Sequence, residues 1–106
     1  MMTHYREYEL VVILSPELSI EQAKETLEEI FQEFQVKNLN LDIKGRQDLQ
    51  YERRKFTSGI YVFGDFIMDK NKTSELKFKL QTHPKILQFY LKKSSKKKDI
   101  IQKKSN

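Results

Sequence analysis

The chain has 106 residues, 38% of them hydrophobic and 33% charged, which suits one compact domain with a small core and a large solvated surface. It has no cysteine, which excludes disulfides and thiolate metal sites and fits a reducing compartment. Its net charge of +5 is unevenly divided: residues 1–43 carry three basic and nine acidic residues, and residues 44–106 carry seventeen and six.

The basic second half can steer a polyanion, which makes nucleic acid the first partner to consider. An acidic membrane surface is the competing partner, but no basic amphipathic helix supports it. The longest apolar run, Leu10 to Leu14, is too short to span a bilayer. The first residues show no apolar leader core, so the protein is expected to work where it is made.

Residues 5–14 are β-branched and aromatic and stop at Ser15 and Pro16, so they predict a strand. The run 11–14 is apolar on both faces, as in a central strand covered on one side by helices. Ser19 and Gln22 have capping-box spacing and open a helix. Ile20, Ala23, Leu27, Ile30, Phe31 and Phe34 make its apolar stripe. Glu21, Glu25, Glu28, Glu29 and Glu33 form a solvated face that argues against nucleic-acid contact by this helix.

Leu39, Leu41 and Ile43 alternate with polar residues in a second strand from Asn38, running on through Leu49 and Tyr51 with an irregularity at Gly45. Residues 52–58 are expected to be a polar connection. Gly59 opens a third strand over 60–68, followed by a turn at 69–73. A short helix over 73–82 turns Leu76 and Leu80 inward and ends before Pro84. Residues 86–91 form a fourth strand. The order β-α-β-β-α-β predicts an α+β, ferredoxin-like split βαβ fold, a four-stranded antiparallel sheet with two helices on one face. Residues 1–93 are expected to form this single RNA-binding domain. Residues 94–106 form a basic tail expected to be disordered until bound.

Catalysis gains little support. His4 sits near the chain start and His83 at a helix end beside Pro84, and both read as surface or capping residues. No carboxylate pair or second histidine stands at metal-ligand spacing, and the three glycines are too scattered for a phosphate loop. An enzyme, a cofactor and a small-molecule substrate are therefore not expected.

Binding gains more. Arg46, Arg53, Arg54 and Lys55 flank the hairpin between the second and third strands; arginine can clamp a phosphate and lysine adds a mobile charge. Tyr51, interleaved with them, can stack on a base, although taken alone it reads as packed on the sheet. Lys92 and Lys93 begin a tail with seven lysines and one aspartate up to Lys104, which suits non-specific phosphate binding. The strand from Gly59 to Phe66 is similar to the aromatic motif of RNA recognition motif domains, but no matching aromatic stands in the middle of the first strand. Tyr61 and Phe63 are thus expected to be buried or covered by a protein partner.

Together these segments resemble the bacterial-type ribosomal protein S6 family over residues 5–93. The family's opening Tyr-Glu, apolar strand and proline are matched by Tyr8, Glu9, the run Leu10 to Leu14, and Pro16. Its Gly-Arg-x-x-Leu-Ala-Tyr-Pro segment and following lysine are matched by Gly45, Arg46, Leu49, Tyr51 and Lys55. Tyr61, Phe66 and the Ile86–Leu87 strand complete the pattern. Gln50, Glu52, Arg53 and Gln88 depart from the family's alanine, proline, apolar residue and arginine, which points to a divergent member from a plastid or an A/T-rich bacterium. The resemblance implies a structural role without cofactor. It implies binding of the central domain of small-subunit (16S-type) rRNA with ribosomal protein S18, in a plastid (chloroplast) ribosome if organelle-encoded and otherwise in the bacterial cytoplasm. The alternative is a ferredoxin-like interaction or regulatory module acting as a homodimer.

Overall fold

The structure, a computed structural model, describes residues 4–94. The expected tail, residues 94–106, therefore lies outside the described residues apart from Ser94. Strand β1 (Tyr5–Leu14) leads to helix α1 (Ile20–Glu33), then β2 (Lys37–Arg53), β3 (Phe56–Asp69), α2 (Thr73–Thr82) and β4 (Ile86–Lys93). A 3₁₀ turn at Lys70–Lys72 introduces α2. The strands form one antiparallel sheet in the order β2-β3-β1-β4, so β1 is central as its apolar run implies. With both helices packed on one face, this is the expected ferredoxin-like split βαβ arrangement.

Strand alternation decides what faces the helices. Tyr8, Leu10, Val12 and Leu14 from β1 meet Ile60, Val62, Phe66 and Met68 from β3 in the core. Ala23, Leu27, Ile30 and Phe31 from α1 and Leu76 and Leu80 from α2 close it from above. Phe31 packs against Phe66 with the rings tilted by 44° and their centroids 4.8 Å apart. Ile20, the first member of the expected stripe, is 38% exposed, since it stands in the opening turn at the rim of the core.

The ends of α1 are locally determined. Ser19 is extended and its Oγ accepts from the Gln22 amide (3.0 Å), while the Gln22 side chain accepts from the Ser19 amide (2.9 Å). At the other end Gln35 takes the left-handed conformation (φ 56°). Its amide and that of Val36 then donate back to Gln32 and Phe31, closing the helix.

Strand β2 does run on past Gly45, which has φ 95° and sits where the register with β3 slips by one residue. Glycine reaches that conformation without a Cβ penalty. The expected polar connection over 52–58 is corrected. Arg53 pairs with Phe56, and only Arg54 and Lys55 turn the chain. Both have positive φ, 49° and 71°, the geometry of a tight two-residue hairpin turn. Such a turn usually carries Asn-Gly or Asp-Gly, so Arg-Lys left no local signal.

Candidate nucleic-acid interface

The β2–β3 hairpin runs past the ends of the neighbouring strands and brings its cations to one end of the molecule. Strand pairing places Arg46 opposite Ile60 on the helix side. From there it donates through Nε to the Pro16 carbonyl (3.2 Å) and through Nη2 to the Leu18 carbonyl (2.6 Å). Arg53 donates through Nε to Gln88 Oε1 on β4 (2.9 Å) and through Nη1 to the Glu52 carbonyl (3.2 Å). Its guanidinium also lies over the Tyr51 ring at 6.0 Å. Arg54 reaches the carbonyls of Gln81, His83 and Pro84 at the end of α2. Lys55 is exposed at the tip and makes no ion pair among the described residues.

Tyr51 is 67% exposed, which corrects its reading as a packed residue. The hairpin has passed beyond the sheet at that point, so no neighbouring strand or helix covers the ring. An exposed tyrosine flanked by a guanidinium is a ready stacking surface for an unpaired base.

The fold does not bring Lys92 and Lys93 to the hairpin. They lie four and five residues along β4 from Gln88, or roughly 13 Å and more of extended chain. Lys92 is held 3.7 Å from Glu9, and Lys93 is exposed.

His83 links the hairpin end to α2. Its Nδ1 accepts from the Lys85 amide (3.1 Å), so the imidazole is neutral when this bond is formed. Burial holds its pKa below the ordinary 6.5, and the nearby charges of Lys79, Arg54 and Lys85 act the same way against Glu29. Three cations around one histidine mark this end as electropositive. Single-residue spacing hid the grouping, because the cations come from three separate segments.

The sheet face away from the helices is open. Phe63 and Tyr90 are 44% and 62% exposed there, so of the two alternatives expected for Phe63, burial within the chain is corrected and cover by a protein partner is left; Tyr61 is half-buried. Val11 lies between Phe63 and Tyr90 across the strands, and Glu9, Asp42 and Lys92 rim the depression of about 490 Å³ that they line. Lys44 Nζ sits 5.6 Å from the Phe63 ring centroid. The aromatic residues at alternate positions of β3, Tyr61 and Phe63, were the available signal for this patch.

Among the described residues no group of three or more His, Asp or Glu is placed to hold a metal ion, and no helix is long and apolar enough to cross a membrane. The fold and its surfaces define a small ferredoxin-like domain with a cationic hairpin at one end and an open, aromatic-bearing sheet face. The family model for ribosomal protein S6 matches residues 7–93, and the chain belongs to that family. It is therefore a structural, non-enzymatic type of protein. The chain is 35% identical over 91 residues to small ribosomal subunit protein bS6 of Dictyoglomus turgidum, covering 81% of this chain and 92% of that one. It is 33% identical over 92 residues to the bS6c protein of Cyanidium caldarium, covering 83% and 88%. The crystal structure of 30S ribosomal protein S6 from Thermotoga maritima shares the fold at a TM-score of 0.78 and 19% identity, covering 96% of this chain and 99% of that one.

Proposed function

We propose that this protein is a structural component of the small ribosomal subunit that binds the central domain of small-subunit rRNA together with ribosomal protein S18. Family membership supports the ribosomal setting. The observation that carries the RNA reading is the gathering of Arg46, Arg53, Arg54 and Lys55 at the hairpin end, with Tyr51 exposed among them. The open face with Phe63 and Tyr90 suits a protein partner, because exposed aromatics beside mixed charges are typical of such interfaces. Relatives are known from bacteria and from a plastid-type lineage name, bS6c, so either ribosome is consistent with the chain.

The test is binding of a central-domain rRNA fragment with and without S18 at 50 and 200 mM salt. Each phosphate contact would weaken affinity by roughly 3.5-fold across that range. Tighter binding with S18 is expected. Salt-independent affinity would remove the phosphate account. The same open face also allows a second reading, self-association, and a stable homodimer without RNA affinity would favour it.

A further inference from the structure

The hairpin turn combines two features that explain each other. Arg54 and Lys55 both occupy left-handed backbone conformations, at φ 49° and 71°, which L-residues with long side chains seldom adopt. The surroundings must therefore hold the turn in place. Arg54 does so: Nη1 donates to the carbonyls of His83 (3.4 Å) and Pro84 (3.2 Å), and Nη2 to that of Gln81 (3.5 Å). These carbonyls cluster where α2 ends, and helix-end carbonyls lack intrahelical partners and carry the negative end of the dipole. The same α2–β4 turn is braced by the Lys85 amide on His83 Nδ1 (3.1 Å), the Ile86 amide on the His83 carbonyl (3.2 Å) and the Ser15 amide on the Lys85 carbonyl (2.8 Å).

A guanidinium so placed faces carbonyl oxygens. Three of its five donors are taken, and a phosphate arriving beside these carbonyls would meet their negative ends, which disfavours Arg54 as a phosphate ligand. Lys55, next in the chain, has no such engagement and stands exposed at the tip.

We infer that Arg54 is a positioning residue that locks the hairpin tip onto the end of α2, and that it is Lys55, so presented, that contacts a backbone phosphate of the RNA. The second half rests on the RNA-binding reading above; the first does not.

The experiment uses the full chain with Arg54→Gly, Arg54→Lys and Lys55→Ala. Two quantities are read: amide hydrogen exchange, and the slope of log affinity against log salt for the central-domain rRNA fragment. Glycine accepts the left-handed conformation, so Arg54→Gly should leave exchange at core amides such as Val12 and Leu27 unchanged. Exchange at Lys85 and Ile86 should rise at least tenfold, and RNA affinity should fall with the salt slope kept. Arg54→Lys keeps the charge but cannot bridge three carbonyls, and should behave in the same direction. Lys55→Ala should lower the slope by roughly one while leaving exchange at Lys85 and Ile86 unchanged.

Arg54→Gly that lowers the slope by one with unchanged exchange would overturn the inference, since Arg54 would then be a phosphate ligand itself. Unchanged exchange and affinity in both Arg54 variants would overturn it too. If the wild-type chain bound no RNA, the RNA-binding reading would fail, while exchange at Lys85 and Ile86 would still decide the lock.

Discussion

Arg46 on β2 donates a 2.6 Å hydrogen bond from Nη2 to the carbonyl of Leu18, which immediately precedes the N-cap of α1. With the Nε bond to Pro16, this one side chain fastens the β1–α1 loop to the hairpin. The Gly45 bulge makes the contact possible: it shifts the register so that Arg46 stands opposite Ile60, on the side of the sheet that carries the helices.

Arg46→Ala should therefore cost stability whether or not RNA is present. The bonds are solvent-exposed, so the loss should be about 1 kcal/mol. It is measurable as a lower urea midpoint with an unchanged m-value. An unaltered midpoint, combined with weaker RNA binding, would show that Arg46 acts on the RNA alone.

Gly59 lacks a side chain for a steric reason. A Cβ there would lie 2.5 Å from Ile13 Cγ2 and 3.0 Å from the Leu14 carbonyl oxygen, with Leu87 Cδ1 at 3.4 Å. Ile13 and Leu87 are both buried on the face away from the helices, outside the main core. Gly59→Ala should destabilise by about 1–3 kcal/mol through overpacking. The cost should shrink in an Ile13→Ala background, and strict additivity of the two changes would rule out the proposed clash.

Phe31 is fully buried, and Phe66, against which it packs, is 1% exposed. Phe31→Ala should cost about 3–5 kcal/mol, a large part of the stability of a domain this size. Calorimetry should show a far lower Tm, and a change of only a few tenths of a kcal/mol would contradict this picture of the core.

His83 predicts a pH dependence with a definite sign. Burial first, and then the charges of Lys79, Arg54 and Lys85, hold its folded-state pKa below the ordinary 6.5. The unfolded chain thus binds the extra proton more readily, and the stability from neutral His83 is present above pH 6.5 and lost as pH falls below it. Protonation also removes Nδ1 as acceptor for the Lys85 amide. His83→Gln should flatten the stability profile on the acid side. An NMR titration midpoint for His83 at or above 6.5 in the folded protein would contradict this account.

Much of the architecture was legible because its signals are local. The Ser19–Gln22 box, the α1 stripe and the stop at Pro84 each depend on residues within a turn or two, and alternation along β1 and β3 dictated which side chains could form the core. The hairpin was less legible. Its turn residues, Arg54 and Lys55, have no intrinsic preference for left-handed backbone, and the partners that hold them are 27 to 30 residues away.

The sequence by itself determined the element order, the inward-facing residues and the location of excess positive charge, because helical and strand periodicity and composition are properties of neighbouring residues. Its resemblance to the S6 family followed from motifs spaced along the same chain. Only the tertiary structure decided what each cation touches. Arg46, Arg53 and Arg54 stand in one basic segment, yet they end on the β1–α1 loop, on β4 and on the end of α2. Strand register and the Gly45 bulge direct each to a different neighbour. The exposure of Tyr51, Phe63 and Tyr90 was decided the same way, since whether an aromatic ring is covered depends on what the rest of the fold places over it.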